Sequence, residues 1–176
     1  MLGLAIGLWF VQADGRNVLR VVYDKKWVLC LFVFLANAPD IDYLPGLLQG
    51  DLNRYHHLVT HSVTWSVLFA GGTWLFWRGW DRAVSKREAT FVFLAVFSHL
   101  VADALTQDGA PPYGIMVLWP LSVEYIQAPF WVFGMMAKND LRMLFQWSNF
   151  FVMLREIVVA MPIVLLSVWL RPWFRS

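Results

Sequence analysis

The sequence predicts an all-α integral membrane protein, a bundle of about five spans in which some helices are short or broken. Two observations of composition and one of pattern carry this expectation. The 176 residues are 59% hydrophobic with a mean hydropathy of +0.55, above the roughly 45–50% apolar usage of soluble domains. Eleven tryptophans and fourteen phenylalanines would be hard to bury in a soluble core of this size, and they suit a lipid-facing surface with aromatic belts. Outside one polar stretch, the chain reads as apolar helical runs separated by short loops. Its length allows one domain, taken as a single unit over 1–176.

The elements follow in order. Residues 1–11 form an apolar run about half the length of roughly 20 residues that crosses a bilayer, so a half-helix is expected. A loop over 12–26 carries Arg16, Arg20, Lys25 and Lys26. The run 27–38 is uninterrupted and stops at Pro39, because proline disfavours helix in the residue before it. Cys30 lies inside that run as the single cysteine, which excludes an intrachain disulfide and a multi-cysteine zinc site. A loop over 40–55 holds Pro45 and one basic residue, Arg54. Helix is expected over 60–77, weakened at Gly71-Gly72, and again over 90–106 after a loop with Arg78, Arg82, Lys86 and Arg87. The turn 107–112 has no basic residue. The apolar stretch 113–136 is interrupted by Pro120 and Pro129, which predicts a kinked or broken helix. Lys138 and Arg142 mark the next loop, and 150–170 is the last run, with Arg155, Glu156 and Pro162 inside it. No basic n-region precedes an apolar run at the N-terminus, so no cleavable signal peptide is expected.

Lysine and arginine alternate between rich and poor loops along the chain. The positive-inside rule then puts loops 12–26, 78–87 and the one at Lys138 in the cytoplasm, and the loops 40–55 and 107–112 outside. On this count the tail with Arg171 and Arg175 falls outside, where it fits poorly. A net charge of +2, with no basic cluster interleaved with aromatics, argues against a nucleic-acid partner.

All four histidines, His56, His57, His61 and His99, lie in HHLVTHS and SHLVADALT, joined by Asp40 and Asp42 of APDIDYLPG and by Asp103. His99 and Asp103 are four apart, as are His57 and His61, so each pair shares a face if helical. His56 and His61, five apart, need His56 just before the helix begins. Mixed nitrogen and oxygen donors suit zinc, iron or manganese, in one or more ions. A single histidine on an apolar helix is usually a packing residue. Four histidines and three acids together at one membrane face are a functional site by default. Asp108 and Glu124 are expected as loop or interfacial charges, and Arg155 with Glu156 as a polar pair. Ser62 and Ser98 flank candidate ligands, but neither lies in the glycine-flanked turn of a serine hydrolase, so both are expected to support ligands.

PDIDYLPG, HHLVTHS, SHLVADALTQDG and LWPLS, in that order, resemble the YdjM-like family, described as inner-membrane, LexA-regulated metal-dependent hydrolases. The likeness covers roughly 37–122. It implies a bacterial inner-membrane location, a divalent ion (zinc in the first place), and ligands at Asp42, His56, His61, His99 and Asp103. Asp40 is then a ligand or the base that activates water. This chain departs from the family pattern at His57, where the family has arginine, and at Leu58, where it has glycine. The family pattern favours His56 as ligand, helical spacing favours His57, and both remain open. The expected function is hydrolysis of a phosphoester or lipid ester of the membrane. The alternative is a non-catalytic protein with a structural or transport metal site.

Overall fold

In the computed structural model, residues 2–11, 23–82, 84–109, 111–137 and 141–170 are described. Helix α1 spans Leu2–Phe10, α2 Lys26–Ala36, α3 Tyr43–Gln49, α4 Val63–Trp80, α5 Lys86–Ala104, α6 Leu141–Leu144 and α7 Trp147–Leu170. Three 3-10 segments, Ala38–Asp42, Leu52–Tyr55 and Val59–His61, lie between α2 and α4. Among the described residues there is no strand, only isolated bridges pairing Thr106 with Phe133 and Ile115 with Ile126. The all-helical expectation holds.

Helix boundaries follow local chemistry. Pro39 stops α2, and the Asn37 side chain donates 2.7 Å to the Val33 carbonyl that the ending helix leaves over. The chain then bends by 57° into the segment Ala38–Gln49. The Ser62 hydroxyl starts α4 by accepting the Trp65 N–H at 3.0 Å. A capping box of Ser85 and Glu88 starts α5.

Helix α5 is the centre of the bundle. Val92, Ala95 and Val96 are buried against Phe32 and Leu35 of α2 and Ala70 of α4. Helix α1 lies on α2 because Gly3 and Gly7 remove side chains from the contact: a Cβ on Gly3 would stand 2.5 Å from the Phe32 carbonyl. These two glycines form the small-xxx-small spacing that lets helix backbones approach closely, a signal in the sequence that turns a short apolar run into a packed element. At the other end of α1, the Arg87 guanidinium donates to the Phe10 carbonyl at 3.0 Å and lies over the Phe10 and Phe91 rings.

The outer surface is strongly apolar. Trp80, Leu48 and Leu121 are 86%, 88% and 92% exposed, and every long helix carries exposed large apolar side chains. Residues Trp147–Trp169 of α7 are long and apolar enough to cross a membrane. A surface of this extent is suited to lipid contact.

Two expectations need correction. Residues 113–136 are not a broken helix; they form turns and extended segments folded over the end of α5. Ile115 and Ile126 exchange backbone hydrogen bonds of 3.1 and 2.9 Å, while Val132 and Phe133 donate to the Leu105 carbonyl. Pro120 and Pro129 deny this stretch the N–H groups of a continuous helix, and Gly114 at φ 94° turns the chain where a Cβ would strike Ile126. The histidines of HHLVTHS also do not open α4. They precede it, in a loop and a 3-10 turn, so the four-residue spacing of His57 and His61 is not a helical face.

Candidate metal centre

Four segments converge at the end of α5: the 3-10 turn with Asp40 and Asp42, the loop with His56 and His57, the turn ending in His61, and the last turns of α5 with His99 and Asp103. All seven residues predicted from sequence meet there. The inner cluster is made by imidazole Nε2 atoms facing carboxylates. His61 Nε2 lies 3.1 Å from Asp103 Oδ2, and His99 Nε2 lies 3.2 Å from the same oxygen. Asp40 Oδ1 closes the group at 3.3 Å from His99 Nε2 and 3.8 Å from His61 Nε2.

Asp42 is engaged differently. Its Oδ2 accepts the Thr60 hydroxyl at 2.7 Å and faces His61 Nδ1 at 3.0 Å, while its Oδ1 faces His56 Nδ1 at 3.1 Å. A carboxylate on the Nδ1 side sets the tautomer that leaves the Nε2 lone pair pointing away from it. His61 Nε2 therefore points at Asp103 and His99. Thr60 and Tyr43, whose ring stacks on His56 at 4.0 Å, complete the support for these histidines. Sequence reading passed over both. The threonine sits inside the HHLVTHS motif, and the tyrosine follows Asp42 directly.

The electrostatics favour ion chemistry. His61 is fully buried. Burial alone would lower its pKa, but the carboxylates of Asp103 and Asp42 outweigh burial and hold it above the ordinary value of 6.5. His61 Nε2, His99 Nε2 and Asp103 Oδ2 are inaccessible to solvent and lack hydrogen-bond geometry, although they lie 3.1 and 3.2 Å apart. Two ligands of a tetrahedral zinc with bonds near 2.0–2.2 Å stand about 3.3 Å apart. The spacing thus fits one shared cation better than a chain of hydrogen bonds, and the donor set is the mixed nitrogen and oxygen set that zinc, manganese or iron accepts. One atom each from Asp40, His61 and His99 lies within 4.8 Å of the others, and the same holds for the trios Asp40/Asp42/His56 and His56/His57/His61.

The remaining candidates are placed as follows. Asp108, expected as a loop charge, is drawn inward with its side chain 11% exposed, and it faces His57 Nδ1 at 3.8 Å. Arg155 is exposed on α7 while Glu156 lines the cavity next to the cluster. The Ser62 hydroxyl caps α4 and donates to the Val59 carbonyl at 2.7 Å, and the Ser98 hydroxyl donates to the Ala95 carbonyl at 2.7 Å. Both serines are spent on backbone.

A cavity of about 730 Å³ opens beside the cluster. Asp40, His56, His57, His99 and Asp103 form its polar end, and Met135, Met136, Met153, Ile157 and Ala160 form an apolar wall. The arrangement sets polar and apolar lining side by side in one cavity.

Among curated proteins and solved structures, none matches the chain. The family model described as YdjM inner membrane protein matches residues 1–174, and the chain belongs to that family.

Proposed function

We propose that this protein is a membrane-bound, metal-dependent hydrolase that cleaves an ester of a membrane lipid, a phosphoester or a carboxyl ester. The observation that carries the reading is the cavity that joins the His/Asp cluster to an apolar wall. His61, His99 and Asp103 would hold the ion and leave a position open beside Asp40, and Asp42 orients His61 and His56. A divalent ion in that cage, zinc first and manganese or iron otherwise, supplies Lewis acidity toward an ester or phosphoryl oxygen and makes water nucleophilic near neutral pH. Asp40 is the more open carboxylate of the inner cluster, with its side chain 30% exposed against 18% for Asp103. It takes the proton from the attacking water as the oxygen–carbon or oxygen–phosphorus bond of the ester breaks, and the leaving alkoxide is protonated in turn. The methionines, Ile157 and Ala160 hold the acyl or prenyl portion and keep bulk water from that side. A structural metal site is closed by four protein ligands; the cavity reaching Asp40, His99 and Asp103 favours an accessible one.

The same reading places the bundle in the membrane. Helices α4, α5 and α7 cross, α2 with the bent segment Ala38–Gln49 forms a broken span, α1 is a partial span beside them, and the site lies toward the extracytoplasmic side. His99 is about 20 Å along α5 from the basic residues at its start, at 1.5 Å per residue, about two thirds of the way across a hydrocarbon core of roughly 30 Å. With 113–136 folded over the outer end instead of crossing, α7 runs back toward the cytoplasm.

The test is a hydrolysis panel. Protein purified in detergent, stripped with chelator and reloaded with Zn2+, is offered phosphodiester, phosphomonoester and carboxylester lipids. Turnover that needs the ion and is lost in His61→Ala supports the reading. Retained metal without turnover on any lipid overturns hydrolysis, and a wild-type protein that binds no ion overturns the metal reading itself. Labelling of a cysteine at position 49 from the cytoplasmic side overturns the orientation alone.

A further inference from the structure

His57 stands outside the cage just described, yet its geometry repeats that of His61. In the cage, Asp42 faces His61 Nδ1 at 3.0 Å and Nε2 points at Asp103 Oδ2 at 3.1 Å. On the neighbouring side, Asp108 Oδ1 faces His57 Nδ1 at 3.8 Å and His57 Nε2 points at the same Asp103 Oδ2 at 4.0 Å. Both units are a carboxylate behind an imidazole, aimed at one shared oxygen. Asp108 is itself fixed, since its Oδ2 accepts the Gly114 N–H at 2.6 Å. His57 is 8% exposed and holds φ at 66°. That is the left-handed region uncommon for a non-glycine residue, and such backbone persists where the surroundings fix it for a role.

Charge points the same way. Asp40, Asp103, Asp108 and Glu156 all line the cavity, and among its described lining residues there is no lysine or arginine. Carboxylates and imidazoles gathered around one cavity, His56, His57 and His99 among them, are the mixed oxygen and nitrogen donors that divalent cations accept. The separations of 3.8 and 4.0 Å exceed hydrogen-bond reach. A cation taking His57 Nε2 and Asp103 Oδ2 as ligands, with His56 in the neighbouring trio of donors, would draw this side together as the first cage already is.

We propose that His57, with Asp108 behind it, builds a second divalent-cation subsite beside the first, and that Asp103 is shared between the two. The ligand is a divalent ion that accepts nitrogen and oxygen donors, zinc or manganese. His57 and Asp103 are its ligands; Asp108 is a positioning residue that sets the His57 tautomer. The subsite rests on the metal reading of the inner cage, but it is a separate claim about the number of ions.

The experiment counts ions. The full chain in detergent is stripped with chelator, dialysed against Zn2+, and its metal content measured per chain. A parallel sample loaded with Mn2+ is examined by electron paramagnetic resonance. The wild type is expected to bind two ions per chain and to show a spin-coupled manganese signal. His57→Asn, chosen because asparagine tolerates the left-handed backbone, is expected to bind one ion and give an isolated-manganese signal. Asp108→Asn should weaken the second ion by about 10–100-fold and leave the first in place. Tryptophan near-ultraviolet dichroism checks that each variant is folded. A wild type that binds one ion overturns the subsite and leaves the hydrolase reading standing, as do two ions retained without weakening in both variants. A wild type that binds none overturns both.

Discussion

The two ends of α5 obey different rules. Around Val92, Ala95 and Val96 the helix is held by shape: small apolar side chains at 0–2% exposure, pressed by Phe32, Leu35 and Ala70, with no polar atom to satisfy. Within the next two turns His99 and Asp103 are held by charge, against Asp40 and His61, with a cavity at their side. The first region gives up all freedom for packing. The second keeps space and concentrates carboxylates, which costs stability unless a cation is present. Variants should therefore separate into those that lower the melting temperature at unchanged ion affinity and those that lower ion affinity.

The largest effect is expected at His61. His61→Ala removes an inner donor and leaves Asp42 and Asp103 facing each other without the ring between them, so ion binding at the inner site should fall below detection in calorimetric titration with Zn2+. Asp42→Asn should be milder. The inner donors remain, but the group that sets the His61 and His56 rings is lost, and a decrease of about 10–100-fold in Zn2+ affinity is expected. If Asp42→Asn abolished binding as completely as His61→Ala, Asp42 would be a direct ligand, and the distinction drawn between Asp40 and Asp42 would fail.

Acidity should move the two kinds of stability in opposite directions. The carboxylates around His61 hold its pKa above 6.5 in the folded chain. In the metal-free protein their contacts with the charged ring add stability that is fully present below about pH 6.5 and is lost as the pH rises through the raised value. A divalent ion needs the uncharged ring, so its affinity weakens as the pH falls. The melting temperature of chelator-treated protein should drop from pH 6 to pH 9, while Zn2+ affinity rises over the same range. A metal-free protein that became more stable over that range would contradict the sign argued for His61.

Much of this was legible in the sequence, for definite reasons. The grouping of the candidate residues was visible because four histidines among apolar helices have few other uses, and all seven candidates meet in space. The apolar runs gave α2, α4, α5 and α7 to within a few residues, since length and hydrophobicity decide such helices. Residues 113–136 were misread because their composition is that of a span; only the prolines and Gly114 reveal that backbone pairing with Leu105 and Ile126 takes the place of a helix. The split of Asp40 from Asp42 was also beyond reach. It depends on a 3-10 turn that sends neighbouring carboxylates to opposite sides of His61. Asp108 looked like a loop charge because nothing in a linear chain shows Gly114 holding it against His57.

The smallest effect belongs to the packed end, and it sharpens the comparison by what it leaves unchanged. Ala95 is 0% exposed where α5 meets α2 and α4, so Ala95→Leu forces bulk into a space with no room. Overpacking of this kind costs about 1–3 kcal/mol, readable as a lower melting temperature in detergent. Ala95 is one turn before His99 on the same helix. A rigid shift of the helix end would also displace His99 and Asp103 and weaken the ion, whereas strain absorbed by the neighbouring helices would leave Zn2+ affinity within about twofold of wild type, an energy difference below 0.5 kcal/mol. The second outcome is expected, because Asp103 and His99 are anchored by the turns at Asp40 and His61 and by the 113–136 segment folded over the helix end. A loss of affinity in proportion to the loss of stability would mean that the two ends of α5 are one unit, with the cage depending on the packing below it.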